Sequence, residues 1–155
     1  MRYWMLGLML TVAATAVFAP ASVDAEGRHP RYLHARTDLR AAQFYLRVRE
    51  EPNVTRNLRA AAGEAEAAIR EVDRAAVIDH KDLDDHPRID TQLARKDRFR
   101  KIVDLLRSAR ADIAEEEDNP RAREWRNRAF AHIDQALNAV HRAAVDARID
   151  HELGF

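Results

Sequence analysis

The sequence predicts an all-α protein, an antiparallel up-down-up-down four-helix bundle. The 155 residues include only 4 Gly and 5 Pro, too few for a turn-rich β-sandwich or barrel. Pro30, Pro52, Pro87 and Pro120 each precede a long segment whose apolar residues recur every three or four positions. The connections at Pro52 and Pro120 are short, and short connections place consecutive helices antiparallel.

The N-terminal segment is predicted to be a signal peptide. A basic start and an apolar run over residues 3–18 are followed by small residues that offer cleavage near Ala21 or Ala25. An uncleaved anchor is the alternative, but the run is shorter than the roughly 20 residues of a spanning helix. We therefore expect 1–25 to be removed and 26–155 to form one periplasmic or secreted domain without a stable membrane anchor.

The first two helices are predicted over about residues 30–50 and 54–79. Proline suits the first turn of a helix, where its missing N–H is not needed. The seam residues that predict these helices are Tyr32, Ala35, Leu39, Ala42 and Leu46, then Leu58, Ala62, Ala65, Ile69, Val72 and Ala76. The rest of each segment is largely polar or charged, as expected for helices that bury one face.

The last two helices are predicted over about residues 89–116 and 120–149, with Asn119 as the N-cap of the fourth. Their seam residues are Phe99, Ile102, Leu106, Ala109 and Ile113, then Trp125, Ala129, Ile133, Ala136, Val140 and Ala144. Alanine is frequent in these seams, so the helices should approach closely. Little internal volume would then remain for a large cofactor.

The composition excludes several kinds of chemistry. There is no Cys, and all three Met residues lie in the signal segment, so thiolate nucleophiles, Cys-ligated zinc and His/Met haem ligation are excluded for the mature chain. Ser108 is the one serine beyond the signal segment, which leaves almost no nucleophile for a Ser-His-Asp hydrolase. The 26 basic and 26 acidic residues balance, so no nucleic-acid partner is expected. We predict a non-enzymatic binding or structural protein.

A divalent-metal site is the sharper alternative, because six of the seven histidines would lie in one half of an up-down-up-down bundle. Imidazole and carboxylate suit Zn, Ni(II) or Cu(II), and a bis-His haem is a less favoured variant. The candidate ligands are His34, Asp38, His80, Asp82, His86 and His132. A solvated bundle end, where Asp and His collect anyway, is the structural alternative.

Two groups of ligands are conceivable within that set. One combines His80 or His86 with Asp82 or Asp85 in the connection between the second and third helices. In the other, His34 and Asp38, four residues apart on one helix, would face His132 or His141. The structural alternatives are an interhelical hydrogen bond for His34 and a partly buried, hydrogen-bonded role for His132.

Several stretches resemble a group of small exported all-helical bacterial proteins to which no activity is assigned. They are residues 29–35 (HPRYLHA), 78–83 (IDHKDL), 86–87 (HP), 116–120 (EEDNP) and 131–134 (AHID). The resemblance implies export and a helical bundle, and it transfers no catalytic residue. A protein partner or homodimer stays open, as does a periplasmic holdase, which would need an exposed apolar patch.

Overall fold

The computed structural model describes residues 30–78, 89–115 and 123–153, with side chains for all of these except 30 and 75–78. It contains α1 (Pro30–Leu46), α2 (Pro52–Ile78), α3 (Arg95–Glu115) and α4 (Arg123–Asp146), followed by a 3₁₀ turn over Asp150–Glu152. Within these ranges there is no strand, and no helix is both long and apolar enough to cross a membrane. The predicted all-α four-helix bundle is confirmed.

The core forms where the helical periodicity predicts it. The predicted seam residues with described side chains are buried, apart from Ile69 and Trp125, which pack partly buried against the core. The largest fully buried side chains are Leu39, Leu46, Leu58, Phe99, Ile102, Leu106, Ile113 and Ile133. Burial of one apolar stripe from each helix therefore holds the bundle together.

The turn between α1 and α2 ends α1 at Leu46 instead of residue 50. The Arg47 and Val48 amides donate to carbonyls three residues back, which tightens the last turn. The amide and the carbonyl of Glu50 are both bonded to the Thr55 hydroxyl at 2.8 Å. Those groups are unavailable to a continuing helix, and α2 begins at Pro52, two residues before the predicted start.

α3 begins at Arg95, six residues later than the periodicity predicts. The Asp90 amide donates to the Tyr45 hydroxyl at 3.0 Å, and the Asp90 carboxylate accepts the Gln92 amide at 2.9 Å. This side-chain turn gives the backbone an alternative to the helix. Ile89, the predicted first residue of the third helix, and Leu93 instead pack against the core from a loop.

α4 ends at Asp146 instead of residue 149, because the chain turns through a left-handed residue. Arg148 has φ 57°, and the Arg148 and Ile149 amides donate to the Val145 and Ala144 carbonyls at 2.9 and 3.0 Å. This pair of bonds is the Schellman arrangement, in which glycine is the usual left-handed residue. Because position 148 is an arginine and not a glycine, the sequence does not indicate that the helix ends here.

Each helix packs against two others, and every packed pair is antiparallel. The pairs in contact are α1 with α2, α1 with α3, α2 with α4 and α3 with α4. The polar contacts that establish the directions are Arg36–Asp73 and Gln43–Glu66, Arg31–Glu115 and Arg98–Glu50, Asn57–Asp146 and Arg128–Glu71, and Arg110–Asp134 and Lys96–Glu152. α1 and α4 are diagonal and do not contact each other.

The order of helix directions is up-down-down-up, which differs from the predicted up-down-up-down order. α3 is antiparallel to α1, so it runs in the same direction as α2. At about 3.3 Å per residue, residues 79–94 are long enough to span the roughly 40 Å length of α2. The predicted up-down-up-down order instead requires this connection to join two helix ends on the same side of the bundle. In the structure, the start of α1 and the end of α4 therefore lie at opposite ends.

Candidate functional site: the groove between α2 and α4

The interface between α2 and α4 is built from small side chains. The buried alanines are Ala61, Ala62, Ala65 and Ala68 on α2, and Ala129, Ala136, Ala139, Ala143 and Ala144 on α4. Small residues let two helices approach closely, and they leave the longer polar side chains at the edges of the interface to form walls. This pattern places a groove along one edge of the α2–α4 pair.

The groove has a volume of about 170 Å³ and is partly open to solvent. Its walls are the polar side chains of Glu64 from α2 and of Gln135, Asn138 and Arg142 from α4, and its remaining lining residues are Ala60 and Ala139. The volume is well below the 300–1,000 Å³ of pockets for drug-sized ligands. We call this cavity and its six lining residues the α2–α4 groove.

Glu64 is held at the groove by a histidine. Nδ1 of His132 lies 2.8 Å from Oε2 of Glu64, and both side chains are about 30% exposed. At this distance an Nδ1–H donates to the carboxylate. His132 is thus partly buried and hydrogen-bonded, in agreement with the structural alternative for this residue. One oxygen of Glu64 stays available to the groove.

The α4 wall carries polar groups that the described fold leaves without partners. Across residues 30–78, 89–115 and 123–153, Gln135, Asn138 and Arg142 make no hydrogen bond or ion pair. Some polar side chains on this pair of helices are matched: Arg128 pairs with Glu71 at 2.9 Å, and Asn57 donates to Asp146 at 2.8 Å. Arg56 and Arg59 of α2 are exposed and, within the described residues, make no ion pair either. Three polar groups of α4 without a partner in the described fold therefore line the same concave surface.

The structure separates the predicted metal ligands that it describes. His34 is exposed on α1 and Asp38 is half-buried beside it, whereas His132 lies on α4, which α1 does not contact. His141 lies towards the end of α4, remote from the start of α1. The predicted meeting of His34 with His132 or His141 is therefore wrong, because it depended on the up-down-up-down order.

The other predicted ligands, His80, Asp82 and His86, lie outside the described residues, as does Asp85. Among the side chains that are described, no three His, Asp or Glu residues form a group able to hold a metal ion. A metal in the connection between α2 and α3 stays a prediction.

Asp112 of α3 is the neighbour that His34 and Asp38 do have. Burial raises the pKa of Asp112, and the charge of Asp38 raises it further, against the opposing charges of His34 and Arg31. Arg31 is also ion-paired with Glu115. This α1–α3 group is a place of mixed charge at the surface.

A second carboxylate, Glu71, has the opposite character. It is 7% exposed and lies between Arg74 at 2.5 Å and Arg128 at 2.9 Å. Burial raises the pKa of Glu71, but the hydrogen bonds from Arg128 and Arg74 outweigh it and leave the pKa lowered. The ion pair of Arg36 and Asp73, at 2.5 Å, links α1 to α2, and the ion pair of Glu71 and Arg128 links α2 to α4. We therefore assign Glu71 a structural role.

The described surface offers little to an unfolded client. Phe44 and Val145, 47% and 49% exposed, are its two exposed large hydrophobic side chains. They lie on α1 and α4, which do not contact each other. Two separate apolar side chains do not make the contiguous patch that a holdase requires, so this alternative gains no support.

Sequence reasoning missed Glu64, Gln135, Asn138 and Arg142, although a signal for them exists. Small residues occur together on both helices: Ala60-Ala61-Ala62-Gly63 on α2, and the alanines at positions 136, 139 and 143 on α4. Their short side chains leave space for a groove. Pairing those runs requires knowing that α2 packs antiparallel against α4.

Comparison of the chain with family models, with curated proteins and with solved structures gives no match.

Proposed function

We propose that this chain is an exported binding protein without catalytic activity that holds a small polar solute in the α2–α4 groove. The observation that carries the proposal is the convergence of Glu64, Gln135, Asn138 and Arg142 on one concavity. Polar groups that a fold does not need, gathered in a concave place, are typical of a binding site. The signal-like N-terminal segment is the support for export.

The size and solvation of the groove limit what it holds. A cavity of about 150 Å³ accepts a molecule of benzene size, so about 170 Å³ suits a solute of about six to eight heavy atoms. The groove is partly open, and its charged walls are in contact with water. Affinity should therefore be moderate, since exposed charges interact weakly.

The lack of catalysis is proposed from the chemistry of the lining residues. The groove contains no hydroxyl or thiol nucleophile, and Ser108 lies exposed on α3. His132 is bound to Glu64 but is not among the lining residues. Amide and guanidinium groups orient a ligand and do not attack it, which favours binding over turnover.

A divalent-metal protein is the second candidate, and the pair of Glu64 and His132 favours it. A carboxylate oxygen and an imidazole nitrogen 2.8 Å apart are two ligands of the type that Zn and Ni(II) accept. Elemental analysis of protein purified without a His-tag tests this candidate. Stoichiometric metal that is lost in His132→Gln would favour it over a solute, and metal retained in that variant would point to other ligands.

The main experiment screens the purified protein against amino acids, carboxylates, amines, polyols and phosphate by thermal unfolding and by NMR. At ten times its dissociation constant, a solute stabilises the folded state by about 1.4 kcal/mol, which raises the Tm by a few degrees. We expect at least one solute to do so and to shift the side-chain amide signals of Gln135 and Asn138.

Ala60→Leu fills the groove from the exposed side of α2 and should abolish binding. Ala111→Leu is the matched control, since it adds the same atoms to an exposed position on α3. Binding that survives Ala60→Leu, or a screen in which no solute shifts the two amides, would overturn the proposal.

A further inference from the structure

We propose that the solute of the α2–α4 groove is a small zwitterion of the amino-acid type, with its carboxylate on Arg142 and its ammonium group on Glu64. This inference rests on the proposed function, because it names the class of solute that the same groove would take.

The two charges of the groove come from opposite walls. Glu64 belongs to α2 and Arg142 to α4, so a ligand between them meets a carboxylate on one side and a guanidinium on the other. The lining carries one negative and one positive group, so its net charge is zero. A ligand that matches it is neutral overall and dipolar, because an anion alone would leave Glu64 unmatched and repelling.

The register of the helices sets the separation of these charges. Asn57 meets Asp146 and Glu71 meets Arg128. Because residue 64 is midway between 57 and 71, Glu64 lies nearly level with Leu137 on the antiparallel α4. Arg142 lies five positions further along α4, about 7.5 Å in helical rise. Helical side chains tend to extend towards the N-terminus of their helix, which for Arg142 is the direction in which Glu64 lies. Both residues line the same groove, so a small molecule between them is expected to contact both.

The remaining lining residues suit a short, compact ligand. Gln135 and Asn138 each offer two N–H donors and a carbonyl acceptor, so they can contact a carboxylate and an ammonium group alike. Ala60 and Ala139 leave about 170 Å³, the scale of a molecule with a hydrogen or methyl side chain. Bulky or aromatic amino acids would have to project into solvent.

His132 serves the same ligand by positioning Glu64. Its Nδ1 lies 2.8 Å from Oε2 of Glu64, so that oxygen is fixed, and the other oxygen makes no hydrogen bond within the described residues. The hydrogen bond thus holds in place the carboxylate that is proposed to receive the ammonium group. His132 is a positioning residue here, because it does not line the groove.

The test is calorimetric titration of the full purified protein with glycine, L-alanine and β-alanine, beside acetate and ethylammonium as the two single-charge halves. We expect a zwitterion to bind at least about tenfold more tightly than either half, since each charged group gains a charge-assisted contact. Arg142→Gln and Glu64→Gln should each weaken binding of the zwitterion by about tenfold.

Two matched controls separate local contacts from overall charge. Arg100→Gln removes a cation from an exposed position on α3, and Glu66→Gln removes an anion two residues from Glu64; both should leave binding unchanged. His132→Gln should weaken the zwitterion and ethylammonium without affecting acetate, an effect that a merely structural loss would not produce selectively.

Each contrary result has a distinct meaning. Acetate that binds as tightly as L-alanine, with sensitivity to Arg142→Gln alone, would identify an anion site and overturn this inference while the proposed function stands. A polyol that shifts Gln135 and Asn138 when no zwitterion does would have the same consequence. No binding by any probe in the groove would overturn both.

Discussion

Glu71 on α2 and Asp112 on α3 are carboxylates at two helix pairs of one bundle, and their pKa values move in opposite directions. Burial raises the pKa in both cases. At Glu71 the hydrogen bonds from Arg128 and Arg74 reverse that effect. At Asp112 the charge of Asp38 adds to it, and His34 and Arg31 do not compensate.

The difference shows that partners, more than burial, decide what a carboxylate contributes to this fold. Glu71 is the more deeply buried of the two, yet it is the one that favours ionisation. Asp112 meets another carboxylate, and the arginine near it is already paired with Glu115. The α2–α4 side thus matches its buried charge, whereas the α1–α3 side leaves a local excess of acid.

The largest effect is expected for Glu71→Gln, which should lower the free energy of unfolding by about 2 kcal/mol at pH 7. The variant removes the charge between two arginines, and the loss is limited because Arg74 and Arg128 are about half exposed. Urea denaturation measures it. Glu124→Gln is the control, since Glu124 is 87% exposed and 3.8 Å from the same Arg128; its effect should stay within about 0.5 kcal/mol. Equal losses would contradict the role assigned to burial.

The second expectation concerns acid. The pKa of Glu71 is lowered in the folded state, so its stabilising effect is present above the unfolded value, about 4.5, and is lost as the pH falls through the folded pKa. The difference in unfolding free energy between wild type and Glu71→Gln should therefore shrink between pH 7 and pH 3. A difference that is constant over this range would show that Glu71 acts by packing instead of charge.

The helices and the core could be predicted from the sequence because each depends on local pattern. Leu39, Leu58, Phe99 and Ile133 lie where a period of 3.6 residues places them, and all are buried. The ends of the helices are harder to predict from the sequence. Thr55 and Asp90 close turns through contacts that span a connection or reach another helix, and such contacts have no periodic signature.

The site could not be predicted because it depends on which helices pack together. Short connections indicate antiparallel neighbours, but residues 79–94 are long enough to join either the same end or opposite ends. The predicted up-down-up-down order places α1 beside α4, and for that reason it also places His34 near His132. Glu64, the actual partner of His132, is visible only once α2 is placed beside α4.

A smaller effect of opposite sign is expected for Asp112→Asn, which should stabilise the protein by about 0.5 kcal/mol or less at pH 7. A carboxyl whose pKa is raised in the folded state opposes folding when ionised. That cost decreases as the pH falls through the folded pKa, and it is gone below the unfolded value of about 3.8. The gain should therefore vanish near pH 3. Asp104→Asn, at an exposed position of the same helix, is the control, and destabilisation by Asp112→Asn at pH 7 would refute the charge argument.

The smallest effects separate the causes acting on Asp112. Its carboxyl carbon, followed by NMR through an acid titration, should show a lower pKa in Asp38→Asn, because a repelling charge is removed, although burial still holds it above the ordinary value. The pKa of Asp112 should rise in His34→Gln, since the charge of His34 lowers it. Asp104 provides the internal reference in every spectrum. If the pKa of Asp112 is the same in both variants as in the wild type, burial is the sole cause of its shift. The difference between Asp112 and Glu71 would then be due to Arg74 and Arg128 alone.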